Sequence, residues 1–170
     1  MQANSKLMPG WHNQQLIYLA IVVSEFNSEV TFKMLEGARD HAATVNAKVN
    51  YIMYVPGTFD MPLAVDGLLK KKNVDAVVTL GVVIKGDTRH DDIVAENTAR
   101  LIADLSLKYG KPVTLGVAGP GMTIEQARAR AKLVPARAVN AAVNMVLRLR
   151  KLQKTVGGGI VIINDTADNN

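Results

Sequence analysis

Apolar residues change their period several times along this chain, and each change marks an element. Residues 17–24 are an unbroken apolar run rich in β-branched side chains, the pattern of a strand buried on both faces. Over residues 28–45 the period lengthens, and Val30, Met34, Leu35, Ala38 and Ala42 fall on one helical stripe. Residues 49–55 predict a second strand, stopped by Pro56-Gly57. Residues 61–72 predict a second helix, with Pro62 tolerated in its first turn, and residues 75–84 a third strand. A third helix over 91–109 is closed by Gly110. A fourth strand covers 113–117 and runs into a Gly119-Pro120-Gly121 turn. Thr123, with Gln126 three residues on, makes a capping box for a further helix. Pro135 interrupts that helix, and a last one reaches about residue 151.

Strands alternating with helices in this way predict a parallel sheet with right-handed crossovers. The fold class is α/β: three layers, α-β-α, around a four-stranded parallel, flavodoxin-like sheet, all within residues 16–152. Residues 1–15 are polar and aperiodic, the pattern of a flexible arm. Residues 153–170 form a tail of unassigned role, in which three glycines lead into Ile160-Val161-Ile162-Ile163. Its two readings stay open: an edge strand on this or another subunit, or disorder.

Composition narrows the chemistry. A chain of 170 residues, 48% apolar and 21% charged, is long enough for one well-buried core. The absence of cysteine excludes disulfides, thiolate metal sites and a thiol nucleophile. Apolar runs are too short to span a bilayer and no secretory signal pattern opens the chain, so a cytoplasmic protein with no membrane partner is expected. The net charge of +5 raises the question of nucleic acid. The cations, however, gather at Lys70-Lys71-Lys72 and at Arg148, Arg150, Lys151 and Lys154, near predicted helix C-termini whose dipoles they complement. With 5% aromatic residues there is no stacking platform, and nucleic acid is not expected as a substrate.

Ligands of open α/β sheets bind outside the carboxyl ends of the strands. Four predicted loops lie there. In the first, Phe26 is either a stacking surface for a planar heterocycle or a hydrophobic staple for the helix that follows. In the second, Asp60 either accepts ligand hydroxyls or merely complements a helix dipole. In the third, Gly86-Asp87-Thr88 offers backbone N–H groups and a hydroxyl to an anion, or is only a turn and cap. His90 beside it is a general acid/base or a structural residue, whereas His12 lies in the arm and His41 on a helix face expected to be solvated. Arg128, Arg130 and Arg137 are candidate phosphate clamps, or solvated helix charges. No GxxxxGK[ST], GxSxG, SxxK or HExxH pattern occurs, and no histidine or carboxylate pair has metal-ligand spacing, so no metal is expected.

Taken together, four segments resemble the lumazine synthase family. They are Val23-Ser24-Glu25-Phe26-Asn27, Val55-Pro56-Gly57-Thr58-Phe59-Asp60-Met61-Pro62, Gly81-Val82-Val83-Ile84-Lys85-Gly86-Asp87-Thr88-Arg89-His90, and Thr123-Ile124-Glu125-Gln126-Ala127 through Arg130. Each alone is modest, and their order on successive strand-end loops is specific. The resemblance implies a transferase of riboflavin biosynthesis that condenses 5-amino-6-(D-ribitylamino)uracil with 3,4-dihydroxy-2-butanone 4-phosphate, without a cofactor, to 6,7-dimethyl-8-ribityllumazine. It implies that Phe26 stacks on the pyrimidine with Asn27 beside it, and that Thr58, Phe59 and Asp60 line the ribityl chain. Val83 and Ile84 would border the ring. Gly86, Asp87, Thr88 and Arg130 would hold phosphate, and His90 would move protons. It also implies a homo-oligomer, a pentamer or a sixty-subunit icosahedral capsid, with sites between subunits.

The sequence departs from the commoner pattern at several of these positions. Asp60 stands where glutamate is usual, Asp87 where a small residue is, and Lys85 where arginine is; Leu115 stands where phenylalanine is often found. The stretch from Lys132 to Arg137 is shorter than usual, and Arg137 is the nearest match to a family lysine. Two other classes stay open on the residues alone: a flavin- or nucleotide-binding module without chemistry, and a shell protein whose catalysis is vestigial.

Overall fold

The computed structural model describes residues 15–164. In chain order the elements are β1 (Ile17–Ser24), α1 (Ser28–Thr44), β2 (Ala47–Val55), a 3₁₀ turn (Thr58–Asp60), α2 (Met61–Leu69), β3 (Ala76–Ile84), α3 (His90–Tyr109), β4 (Val113–Met122), α4 (Ile124–Arg130) and α5 (Leu133–Lys154). The four strands are parallel in the order β2-β1-β3-β4. The architecture is the three-layer flavodoxin-like α/β sheet that the alternating periods imply. No helix among the described residues is long and apolar enough to cross a membrane.

The central pair explains the unbroken apolar runs. β1 and β3 have a neighbour on each side and a helical layer on each face, so both side-chain rows need apolar surroundings. Leu19, Ile21, Val23, Val78 and Leu80 point to the layer of α1 and α5. Ala20, Val22 and Val77 point to α2 and α3, against Met61, Val65, Leu69 and Ile102. Each large side chain buried in this way contributes about 1.5–3 kcal/mol relative to exposure.

The edge strands are wetter. β2 carries a register shift at Asn50, between the pairs Leu19↔Val49 and Ala20↔Tyr51. Beyond this bulge Ile52 and Tyr54 fall on the α1 side and Met53 on the other, and all three are exposed. Phe32 of α1 meets Tyr54 edge-to-face, with ring centroids 5.6 Å apart. On the opposite edge, β4 exposes Leu115.

Several boundaries differ from the periodicity. Gly119-Pro120-Gly121 is not a turn after the fourth strand but its continuation, with a cis Gly119–Pro120 bond, and β4 runs to Met122. Gly119 allows this because it sits at φ +110°, where a Cβ would collide with the Val83 carbonyl oxygen. Pro135 does not interrupt a helix. The break falls at residues 131–132, and Pro135 lies in the first turn of α5, where a missing N–H costs no intrahelical bond. Pro135 is buried there beside Gly37 of α1. Finally, α2 stops at Leu69, leaving Lys70-Lys71-Lys72 beyond its end.

The flexible-arm reading falls on residues 1–15, of which all but Gln15 lie outside the described residues. Residues 157–164 of the tail form no strand with this chain's sheet, and residues 165–170 lie outside the described part. His41 is half-buried rather than solvated, its Nε2 2.7 Å from Asn140 Oδ1, which joins α1 to α5. It sits near the C-terminal end of α1, away from the strand-end loops.

Candidate active site

β1 and β3 are neighbours in the sheet, yet the helices that follow them cover opposite faces. A crevice therefore opens between the two strand ends, the switch point of the topology. The loops after β1 and β2 are stitched together along one side of it. Glu25 N–H donates to the Val55 carbonyl at 2.8 Å and Phe26 N–H to the Pro56 carbonyl at 3.0 Å. Asn27 occupies the left-handed region at φ 60°, a conformation its short amide side chain tolerates. Its Nδ2 does not cap α1 but reaches across to the Val82 carbonyl at 3.1 Å, tying the first loop to β3.

That stitching leaves Phe26 outside. Its ring is 70% exposed, and the position where a staple partner would lie is Thr31, whose hydroxyl donates to the Ser24 carbonyl at 2.6 Å. Phe26 is therefore not a hydrophobic staple. Phe59 is likewise 57% exposed, on the 3₁₀ turn of the second loop. Thr58 is 5% exposed; its side chain lies over Gly81, where a Cβ would collide with its hydroxyl. Its carbonyl accepts from Thr98 of α3 at 3.2 Å. Asp60 is exposed, and its Oδ2 accepts from the Gly57 N–H at 2.9 Å, so the carboxylate fixes its own loop.

The third loop is of another kind. Lys85, Gly86, Asp87, Thr88 and Arg89 line an open cleft of about 330 Å³ with Asp91, Asp92 and Gly121. Val83 is buried beneath it and Ile84 is partly buried. Among the described residues, the side chains of Lys85, Asp87, Thr88 and His90 have no hydrogen-bond or ion-pair partner. Arg89 reaches Asp92 at 3.4 Å. His90 is exposed at the first residue of α3, one residue earlier than the pattern predicts. Lys85 and Arg89 thus face Asp87, Asp91 and Asp92, leaving the cleft of one chain without a net positive charge.

The remaining candidates divide. Arg130, in the last turn of α4, does not line the cleft of its own chain; its Nη1 lies 3.8 Å from the Met122 sulfur. Arg128 is committed elsewhere: it makes a two-pronged contact with Glu29 at 2.8 and 2.9 Å that ties α4 to α1. Arg137 is exposed on α5 with no partner among the described residues. Leu115 is 51% exposed on β4, paired with Thr79. Five residues separate Thr79 from the end of β3, roughly 17 Å along a strand, so the chain does not bring its own Leu115 to the crevice. Gly121 belongs to the fourth strand-end loop, residues 118–122, expected at the same crevice, whereas Asp91 and Asp92 are members that motif reading missed. The acidic pair directly after His90 has the composition of an ordinary helix first turn, which carries no signal of a site.

What the arrangement offers chemically is a half-formed anion cradle, with unpaired N–H, hydroxyl and ammonium groups, next to an imidazole, with two exposed aromatic residues on the other strand-end loops. Comparison with known proteins agrees with it. The family model described as 6,7-dimethyl-8-ribityllumazine synthase matches residues 17–150. The chain is similar to a 6,7-dimethyl-8-ribityllumazine synthase of Saccharolobus islandicus (strain L.S.2.15), 54% identical over 141 residues, which are 83% of this chain and 92% of that one. It is also similar to the protein of the same name from Methanococcus maripaludis (strain C5), 54% identical over 138 residues, 81% of this chain and the whole of that one. The matched region takes in every strand and all four strand-end loops, and on these grounds the chain belongs to the 6,7-dimethyl-8-ribityllumazine synthase family.

Proposed function

We propose that the chain condenses 5-amino-6-(D-ribitylamino)uracil with 3,4-dihydroxy-2-butanone 4-phosphate to 6,7-dimethyl-8-ribityllumazine, releasing one phosphate and two waters, as a step of riboflavin biosynthesis. The observation that carries this reading is that His90 follows directly on a loop of unpartnered polar side chains lining a cleft at the strand ends, in a chain of this family.

The substrate amine is itself the nucleophile. It attacks the ketone carbon, the carbinolamine loses water, loss of the neighbouring C–H proton lets phosphate be expelled, and the resulting enol takes up a proton to become a methyl ketone. The ribitylamino nitrogen then closes onto this new carbonyl with loss of the second water. The protein's part is to orient two reactants and to move protons. Phe26 stacks on the pyrimidine beside Asn27, with the backbone of Val83 and Ile84 along its edge. Thr58, Phe59 and Asp60 run along the ribityl chain, where the second oxygen of Asp60 takes a hydroxyl. Gly86, Asp87 and Thr88 take the phosphate through backbone N–H groups and the Thr88 hydroxyl, with Lys85 nearby. His90 exchanges protons with the carbinolamine oxygen and with the leaving phosphate.

The site is completed by a second copy of the chain. In one chain the cleft lacks net positive charge, Leu115 faces outward from an edge strand, and Ile52, Met53 and Tyr54 stand exposed on the other edge. Edges this apolar are covered in stable proteins. A homo-oligomer, a pentamer or a capsid of pentamers, would bring Leu115 to a neighbour's ring pocket and Arg130 and Arg137 to a neighbour's phosphate.

Mixing the purified protein with both substrates and following lumazine absorbance and fluorescence tests the reaction. Product above the uncatalysed background supports it, and none rejects it. Sedimentation velocity of the same sample tests assembly, with a monomer as the rejecting result.

A further inference from the structure

The loop between β3 and α3 hangs from β4 at both ends. At its start, the Lys85 N–H donates to the Met122 carbonyl at 2.9 Å. At its far end, just inside α3, the Asp91 Oδ2 accepts from the Gly121 N–H at 3.1 Å. The two anchor points on β4 are consecutive residues, so the intervening loop is closed like a clasp. Asp91 is 9% exposed, and among the described residues it is the one charged side chain that is buried. A carboxylate out of water is costly unless it is hydrogen-bonded, and this one lies at the positive end of α3 with a backbone N–H as its partner. The anchor it holds is firm: Gly119, two residues earlier, is packed on the Val83 carbonyl, and Met122 is in register with Ile84.

We propose that Asp91 is a positioning residue for the phosphate of the ketone substrate. By clamping the start of α3 to Gly121, it sets the spacing of residues 86–88, whose N–H groups take the phosphate. Its carboxylate also fills the N-terminal end of α3, so the phosphate is directed to the loop and Lys85 rather than to the helix end. The inference rests on reading this loop as the phosphate cradle.

Two variants separate the clamp from a general role in folding. Asp91→Ala removes the acceptor, whereas Asp91→Asn keeps an amide oxygen at the same reach. Steady-state kinetics with both substrates should show KM for the ketone phosphate raised about tenfold in Asp91→Ala, the size of one lost hydrogen bond to a charged group. KM for the ring amine and kcat should stay within about twofold, because the lost interaction is made equally in ground and transition states. Asp91→Asn should recover most of the loss. A drop in kcat with both KM values unchanged would mean only less folded enzyme and would overturn the proposal, as would equal defects in both variants or none in Asp91→Ala. Calorimetric titration with inorganic phosphate needs no turnover and should show the same roughly tenfold weakening. Wild-type protein that binds phosphate, more weakly as Asp91→Ala, yet makes no lumazine would refute the synthase reading and leave the clamp standing. Wild-type protein that binds no phosphate would refute the clamp.

Discussion

The two ends of the sheet use charge in opposite ways. At the amino ends of the strands, ionic groups are spent on one another. Asp66 of α2 accepts from Lys70, from Lys108 at 3.4 Å and from the Tyr109 hydroxyl at 2.7 Å. Lys111 donates to the Leu69 and Lys71 carbonyls, both at 2.9 Å. Asp75 accepts from the Tyr18 N–H at 2.7 Å and pairs with Arg150 at 3.0 Å. At the carboxyl ends, Lys85, Asp87, Thr88 and His90 have no partner among the described residues, and two phenylalanines face solvent. Four unmatched polar side chains gathered in one strand-end loop, beside two exposed aromatic residues, form a surface suited to something that arrives. Changes at the carboxyl end should therefore alter kinetics and spare stability, and changes at the amino end should do the reverse.

The largest effect is expected at His90. His90→Ala should lower kcat by about 10²–10³-fold, the usual contribution of a positioned proton carrier, with KM for the ring amine and the melting temperature nearly unchanged. A loss below about tenfold would remove His90 from the chemistry. A smaller effect is expected at Phe26. Stacking on one ring face contributes about 0.5–1.5 kcal/mol beyond buried area, so Phe26→Ala should raise KM for the ring amine roughly tenfold. Because the ring is exposed in the free protein, its removal should leave thermal unfolding where it was. A lower melting temperature in Phe26→Ala would break the division between the two ends.

Much of the site was legible because strand-end loops follow from periodicity. The apolar runs at residues 17–24 and 75–84 locate β1 and β3 almost to the residue, and with them the loops that carry Phe26, Asn27 and residues 85–90. What stayed hidden depends on contacts distant in sequence. The bulge at Asn50 switches which face of β2 points to α1, and no local pattern announces it. Gly119-Pro120-Gly121 has the composition of a turn, yet it bulges out of the ladder between the pairs Val82↔Ala118 and Ile84↔Met122, and β4 pairs with β3 again beyond it. Arg128 looked as available as Arg130 until α4 was seen to bring it to Glu29, 99 residues away. Asp91 has the sequence position of an ordinary helix-start carboxylate, and only the fold shows that it accepts from Gly121 of β4. Leu115 lies on an edge strand, so its distance from the crevice is fixed by the sheet and not by the motif it belongs to.

An intermediate effect on stability should appear at Asp75. Asp75→Ala removes the acceptor for the Tyr18 N–H at the start of β1 and leaves Arg150, on the last turns of α5, without its pair. Both partners are mostly screened from water, so the loss should be about 1–2 kcal/mol, or about 3–6 °C in melting temperature. Differential scanning calorimetry beside steady-state kinetics checks this. The comparison sharpens if kcat and both KM values stay at wild type, and it fails if they move with stability.

The smallest effect belongs to Asp66. Hydrogen bonds from Lys70, Tyr109 and Lys108, with the Lys70 charge, hold its carboxyl down to about 2, below the ordinary value of 3.8. Such a group favours the folded state fully above the unfolded value, and the benefit is lost as pH falls from about 4 to about 2. The site is open to water, so salt and solvent screen most of it. Asp66→Asn should therefore lower the urea midpoint slightly at pH 7 and low salt, and the gap from wild type should close near pH 2. Raising the salt should shrink the gap at pH 7, because the pair is coulombic and exposed. If the gap instead persisted at pH 2, the hydroxyl of Tyr109 and packing, not charge, would be what Asp66 supplies. The amino end would then hold the fold by shape, and its contrast with the carboxyl end would lie in burial rather than in how charge is matched.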